Sequence, residues 1–447
     1  MDEIRELNIA AKEIEQIARG MGLDFYPVHF EICPAEALYT FGAYGMPVRF
    51  THWSFGKAFY RLKMQYDLNV SRIYELVINS NPAYAFLLAG NDFLQNKLVI
   101  GHVYAHVDFF KNNRYFKKTP KDMVDRMAAH AQQIREYELD YGPEKVEQIL
   151  DAALSIQEHV DARAHIAPVR RQDKAKKVPL KQKRTPYDDL WDLDGSDAAA
   201  PELTEEVLSE DLLLFLIKQA PGLEEWQRDV LSIVREESLY FNPQIETKII
   251  NEGWATYWHT RIMRELELNG SEVLDFAMMH SQVVQPGRGS LNPYYLGNKI
   301  LEDLGERFGQ EFLFEVRETE NDASLVRNYL TRDLVEKLNL FNFRKIGSQW
   351  QVTDVNWEKV RDNLVQQLVH GGNPYIIVVS DDYEGKGGLL LRHRHEGLDL
   401  DIIYLEKSLA YVQRLWGKTA VLETLIDGKK VLFECLNGSV TRRQTGK

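Results

Sequence analysis

The sequence predicts a mainly α N-terminal domain over residues 1–340 and a small α+β C-terminal domain over residues 345–447. Three observations carry this reading. Apolar residues recur at helical spacing in one segment after another as far as residue 340. After about residue 345 the pattern changes to short β-rich runs, set apart by turn signals such as 371–374 and Asp427-Gly428, with two helical stretches among them. One long interruption breaks the helical part. A basic run from Arg170-Arg171 to Lys183-Arg184 gives way to Asp188, Asp189, Asp192 and Asp194, with Pro168, Pro179, Pro186 and Pro201 along it. That composition predicts a mobile charged insertion over 168–203 rather than a packed element.

Taken in order, residues 2–21 form an amphipathic helix with Ile4, Leu7, Ala11, Ile14 and Ile17 on one stripe. Residues 23–50 are aromatic and broken by Pro27, Pro34, Gly42, Gly45 and Pro47, which predicts short strands and turns. Residues 51–66 read as a capped helix, 71–78 as a strand and 82–88 as a short helix. Helices follow over 97–113 and 119–140. After the Tyr141-Gly142-Pro143 break comes a long helix over 143–166. Past the insertion, 204–218 and 222–240 are helical, Asn242-Pro243 starts a new element, and 244–268 is one long helix. Residues 271–345 continue mostly helical around a Gly/Pro-rich loop at 285–293. In the C-terminal domain the expected strands are 350–355, 375–379, 389–394, 420–425 and 431–435, and the expected helices 357–369 and 405–416. Its Gly385-Lys386-Gly387-Gly388 turn lacks the spacing and the following Lys-Ser/Thr of a phosphate loop.

Composition narrows the function classes. With 44% hydrophobic residues a large core is affordable, and global disorder is excluded. A net charge of −13 argues against nucleic acid or an anionic membrane surface as the main partner. Cys33 and Cys435 make neither a disulfide framework nor a cysteine zinc site, and they fit a reducing compartment. The charged start Met1-Asp2-Glu3-Ile4-Arg5-Glu6 has no apolar run behind it, so a signal peptide is not expected. No apolar stretch reaches the ~18 residues of a membrane span. The expected location is the cytoplasm.

The chemistry centres on 97–113. This segment is apolar on nearly every side and should be buried, yet His102 and His106 interrupt it four residues apart. On a helix that spacing stacks two imidazoles on one face. Buried imidazoles need partners. A divalent metal is one, because zinc-binding helices use this spacing; a carboxylate or a backbone carbonyl is the other. In 244–268, Glu252 and His259 share a face among Ile249, Ile250, Trp254, Tyr257 and Trp258, so Glu252 is expected to be a buried carboxylate in need of a cation or a proton. Glu31 lies with Cys33 and Glu36 among apolar neighbours, as a functional carboxylate or as a surface residue of a half-exposed strand. Glu158, Asp161 and His165 share a helix face, as a second ligand set, an orienting network or a solvated salt-bridged face.

Three stretches together resemble the SpoVR-like family, named for stage V sporulation protein R. They are Tyr44-Gly45-Met46-Pro47-Val48-Arg49-Phe50-Thr51-His52-Trp53-Ser54-Phe55-Gly56-Lys57, then Gly101-His102-Val103-Tyr104-Ala105-His106-Val107-Asp108-Phe109-Phe110, then Asn251-Glu252-Gly253-Trp254-Ala255. The 381–387 segment fits as well, so the likeness covers nearly the whole chain. It implies a role in spore cortex (peptidoglycan) formation, with a serine protein kinase and other sporulation proteins as partners. It brings no settled biochemical activity.

A second, local resemblance supplies chemistry. Glu-Gly-Trp-Ala followed by Tyr also occurs in gluzincin-type zinc peptidases, which implies a metallopeptidase-like core. There the glutamate is the third metal ligand beside two histidines of a His-Glu-x-x-His helix. Carried over, the resemblance implies that His102, His106 and Glu252 bind zinc. The base glutamate after the first histidine is Val103 here. Another group would then have to accept the proton, with Glu31, Asp108, Asp161 and His259 as candidates.

These readings predict a sporulation protein with a zinc-dependent, peptidase- or amidase-like site acting on a peptide or a peptidoglycan precursor. The competing reading is a non-catalytic regulator or scaffold of a sporulation or stress pathway, which Val103 favours. A third is a redox metal site built from Glu158, Asp161, His165, Glu252 and His259, although the Glu-x-x-His spacing of di-iron bundles is absent.

Overall fold

The computed structural model describes residues 2–68, 74–163, 207–285, 291–346 and 349–444. The charged insertion expected over 168–203, and His165, lie outside the described residues. The chain begins with α1 (Asp2–Gly20), β1 (Val28–Cys33), α2 (Ala35–Tyr44), α3 (Trp53–Asp67), β2 (Glu75–Ile78), β3 (Ala83–Leu88), α4 (Phe93–Asn112), α5 (Met123–Tyr141) and α6 (Pro143–Leu154). It continues with α7 (Leu212–Gln219), α8 (Glu225–Glu246), α9 (Lys248–Glu265), α10 (Gly270–Val283), α11 (Pro293–Phe308), α12 (Gln310–Thr319), α13 (Asp322–Tyr329) and α14 (Arg332–Lys337). The remainder is β4 (Asn342–Ile346), β5 (Gln349–Asp354), α15 (Trp357–Leu368), β6 (Ile376–Tyr383), β7 (Gly388–His393), α16 (Ile402–Trp416), β8 (Ala420–Ile426), β9 (Lys429–Leu436) and β10 (Ser439–Gln444). The N-terminal part is mostly helical, and the C-terminal part is a small α+β unit.

Three sheets are present among the described residues. The first has the order β1-β3-β2, with β1 parallel and β2 antiparallel to β3. The second is the hairpin β4–β5. The third has the order β10-β9-β8-β7-β6 and is antiparallel except for β7–β8, a parallel pair joined through α16. Parallel neighbours need such a crossover, because a tight turn cannot reverse the chain far enough.

Several elements differ from the sequence reading, each for a physical reason. Residues 83–88 form a strand, not a helix. The run Ala83-Tyr84-Ala85-Phe86-Leu87-Leu88 is apolar without alternation, and its position between β1 and β2 buries nearly all of it. Such a short run suits a central strand and a buried helix equally well by pattern. Residues 35–44 are helical, ended by Gly45 in the left-handed conformation (φ 78°). α6 stops at Leu154, twelve residues short of the expected end. Pro243 does not begin an element but lies in the last turn of α8. The break comes at Thr247, whose hydroxyl donates back to the Pro243 carbonyl at 2.6 Å.

The largest core wraps α4. Val99, Ile100, Val103 and Phe109 meet Ile14 and Ala18 of α1, Trp254, Trp258 and Ile262 of α9, and Ile300 and Leu304 of α11. A second core joins α6, α7 and α8 to the five-stranded sheet and α16 through Leu150, Leu216, Val230, Leu391, Leu409 and Phe433. A cavity of about 320 Å³ opens at that second core, beside His159 and His393, away from α4. Among the described residues no helix is long and apolar enough to cross a membrane.

Candidate metal centre

Local signals fix both helices of the site. α4 starts at a capping box, in which Asp92 Oδ1 accepts from the Gln95 amide at 2.7 Å and Gln95 Oε1 accepts from the Asp92 amide at 2.9 Å. The side chains of α4 are then apolar around most of the circumference, which buries the helix and takes His102 and His106 in with it. α9 starts where Asp322 accepts the amides of Ile249 and Ile250 at 2.8 and 2.9 Å. That cap sets Glu252 one turn into the helix. Next to it, Gly253 lies against Gly297 of α11. A Cβ at Gly253 would come within 2.8 Å of the Asn298 amide nitrogen, so only glycine allows the two backbones to approach this closely. The approach also brings Tyr294, in the first turn of α11, to the Glu252 carboxylate.

The three side chains converge. Glu252 Oε2 lies 3.5 Å from His102 Nε2 and 3.4 Å from His106 Nε2. Among the described residues neither Glu252 Oε2 nor His102 Nε2 has a hydrogen-bond partner, although both atoms are buried. Ligands ~2.0–2.1 Å from a tetrahedral ion stand about 3.3 Å apart, so these spacings match the edges of a zinc tetrahedron. Among the described residues this is the one group of three His, Cys, Asp or Glu side chains close enough to share an ion.

The outer nitrogens are held from behind. His106 Nδ1 donates to Asn251 Oδ1 at 2.9 Å, which leaves Nε2 toward Glu252. His102 Nδ1 is 2.9 Å from His259 Nδ1. Burial first, and then the neighbouring imidazoles of His102 and His280, push His259 far below the usual histidine value, so its ring is neutral and has a lone pair to offer. With His102 as donor, its own Nε2 lone pair points into the site. Metal-bound histidines are oriented by outer partners of this kind. Burial alone would raise the Glu252 carboxyl, yet the adjacent imidazoles of His102 and His106 hold it well below the usual carboxylate range. Burial likewise works against a charged His106, but Glu252 and then Asn251 outweigh it and raise the ring above its usual value.

Of the four carboxylate and imidazole candidates for proton transfer, only His259 touches the cluster. Asp108 lies fully buried on another face of α4, where it accepts from Trp254 Nε1 (2.9 Å), Arg317 Nη1 (2.7 Å) and the Asp24 amide (2.7 Å). It braces α4 against α9 and α12. Glu31 is exposed on β1. Asp161 lies beyond the end of α6, its amide bonded to Asp211 near the second core. Glu158 and Asp161 do not join the His/Glu group.

Comparison with known proteins places the chain. A family model described as SpoVR like protein matches residues 2–373, and one described as SpoVR-like C-terminal domain matches 374–427. The chain belongs to the SpoVR-like family. A relative from Escherichia coli (strain K12), described as uncharacterized protein YcgB, is 29% identical over 470 residues, covering 93% of this chain and 91% of that protein. No solved structure matches. The first family model spans both site helices and ends at residue 373, just before β6; α15 packs on α13 and α14.

Two residues beside the cluster escaped the sequence reading. Glu75 begins strand β2, and its carboxylate lies near His102, His106 and Glu252. Tyr294 stacks on His102, with ring centroids 6.1 Å apart. Neither has a spacing to the histidines that could reveal it. Asn251, by contrast, stands directly before Glu252, in a motif already singled out.

Proposed function

We propose that this SpoVR-like chain is a zinc-dependent amide hydrolase acting in sporulation, with His102, His106 and Glu252 as the zinc ligands. One observation carries the reading: the buried, unpartnered His102 Nε2 and Glu252 Oε2 meet His106 Nε2 at the spacing of a tetrahedral site. Two neutral imidazoles and one carboxylate are the donor set of zinc hydrolases and leave a position open. Zinc bound there would polarise a carbonyl and lower the pKa of water. The chain's own residues do the rest. Asn251 and His259 fix the imidazoles, Tyr294 orients the glutamate, and the surrounding aromatic side chains exclude bulk solvent. The substrate class would be a peptide or peptidoglycan precursor, which links the chemistry to spore cortex formation. A serine protein kinase and other sporulation proteins would be its partners.

The test is metal analysis of the purified protein. One zinc per chain, lost in Glu252→Gln with the fold intact by circular dichroism, supports the reading. Protein that purifies and refolds without metal and takes up none overturns it. Val103, fully buried and apolar where a base would stand, favours a second reading, a non-catalytic regulator or scaffold.

A further inference from the structure

The cavity at the second core lies where two parts of the chain meet. It encloses about 320 Å³, within the ~300–1,000 Å³ range of sites that hold small molecules. One wall belongs to the helical part, with Ile156 and His159 past the end of α6 and Leu212 at the start of α7. The other belongs to the C-terminal unit, with Leu391 and His393 of β7 and Leu405 of α16. Residues 373 and 374, where the two family models meet, line it as well. Junctions of this kind are where small-molecule sites concentrate.

Three polar side chains along these walls have hydrogen-bonding capacity left over. His393 is only 7% exposed. The Thr424 hydroxyl donates to the Leu425 carbonyl at 3.3 Å, so its oxygen accepts from His393 Nδ1 at 2.9 Å. That fixes the tautomer. With Nδ1 turned to β8, Nε2 is a bare acceptor left for the cavity, and it has no partner among the described residues. His159 is held through its carbonyl, which accepts the Leu212 amide at 3.0 Å, while its ring makes no hydrogen bond among the described residues. The hydroxyl of Ser408, on α16, makes none there either. Burial pushes both imidazoles down to about 4, so both rings are neutral. A buried acceptor is costly to leave unpaired. The charges at the rim, by contrast, are met. Asp399 accepts from His395 Nε2 at 2.7 Å, Asp401 accepts the Ile403 and Tyr404 amides at the start of α16, and Glu396 faces His370 Nε2 at 3.4 Å. Three carboxylates around one guanidinium, that of Arg394 over the Tyr375 ring, work against an anion.

We infer that this cavity binds an uncharged aromatic small molecule that donates an N–H or O–H hydrogen bond to His393 Nε2. The rings of His159, His393, Tyr375 and Tyr404 line the space, and a flat ring can stack or pack edge-on among them. The apolar walls take its body, and His159 and Ser408 meet its remaining polar edge. Bound there, the molecule touches α16 and β7 on one side and the α6–α7 region on the other, and so ties the C-terminal unit to the helical part. The inference is independent of the zinc reading, since none of His102, His106 and Glu252 lines this cavity.

Indole and N-methylindole are the probes. Their shapes are close, and only indole carries an N–H. Affinities are measured by ligand-detected NMR titration of the full chain, of His393→Phe and of Ser408→Phe. The wild-type chain should bind indole, and N-methylindole at least about tenfold more weakly, because the methyl group leaves Nε2 unpaired. In His393→Phe, which has no acceptor, that difference should vanish. Ser408→Phe fills the cavity and should lose both probes; should His393→Phe not fold, this variant and the wild-type contrast decide. Amide hydrogen exchange should show indole protecting β7 and α16. Absence of indole binding up to its solubility limit would overturn the inference. So would equal affinity for the two probes, binding that survives Ser408→Phe, or protection confined to α4 and α9. Tighter binding of indoleacetate than of indole would assign the site to an anion held by Arg394 and overturn the uncharged class.

Discussion

Trp254 Nε1 donates a 2.9 Å hydrogen bond to Asp108 Oδ2, tying the helix that carries Glu252 to the helix that carries His102 and His106. The other oxygen of Asp108 holds Arg317 Nη1 at 2.7 Å. The three converging side chains therefore depend on a buried ion pair that is not itself part of their cluster.

Asp108→Asn should accordingly destabilise the fold by roughly 3–5 kcal/mol, because it leaves the Arg317 charge buried and uncompensated. Arg317→Met in the same chain should recover part of that loss, since the pair couples. Urea unfolding of the two single variants and the double variant measures this. Additive losses would mean that the pair does not act as a unit.

Gly253→Ala should cost at least about 2 kcal/mol, because the new methyl group meets α11 backbone rather than a side chain that could turn away. Gly56→Ala in α3 is the control. Nothing lies within 4 Å of a Cβ there, so it should stabilise by up to about 1 kcal/mol. Thermal unfolding of both variants checks the contrast. Equal shifts would mean that the α9–α11 approach is not tight.

The second core should carry an acid-sensitive term. Burial pushes His159 down to about 4 from an ordinary 6.5, with His393 adding to the shift. His393 is pushed to about 4 as well, by burial and then by His395. Both rings are thus neutral in the fold and protonate more readily when the chain unfolds. Above pH 6.5 neither state gains a proton, and stability is unaffected. Between about pH 6 and pH 4 the unfolded chain binds protons that the fold refuses, so stability falls as pH falls. His159→Leu should reduce that slope by at most about 1.4 kcal/mol per pH unit, one proton's worth. Denaturant titrations at pH 5 and pH 7 would show it. An unchanged slope would place the acid sensitivity elsewhere.

Much of the helical fold was legible because its signals are local. The four-residue spacing of His102 and His106 in an apolar run predicted both the burial of α4 and a shared imidazole face. Glu252 stood out as a carboxylate among aromatic residues. Where the reading differed, the deciding partner was distant in sequence. The 83–88 run became a strand because β1, 55 residues away by register (83 − 28, Val28 with Ala83), and β2, paired through Ile78 with Tyr84, flank it on both sides. Pro243 could stay inside α8 because Asp322, far along the chain, starts α9. Glu75 and Tyr294 reach the site from a strand and from another helix, and no periodicity links them to the histidines. Asp108 looked like a proton acceptor only while Arg317 and Trp254 were out of view.

The choice between enzyme and scaffold turns on Glu252→Gln, which removes a charge and keeps the shape. If the site holds zinc, a chain supplied with the ion at about 100 times its dissociation constant gains about 2.7 kcal/mol of stability. A chelator should remove that gain from the wild-type chain and have no effect on the variant. If the cluster is only structural, the substitution should cost a few kcal/mol at most through a broken network, with or without chelator. His102→Ala should behave in parallel. Cortex assembly measured against folded abundance then separates the roles. A hydrolase predicts that folded, full-level, zinc-free Glu252→Gln protein fails to support the cortex. A scaffold predicts that cortex assembly falls only as far as folded protein does, and folded, metal-free protein that still builds cortex would refute catalysis at this site.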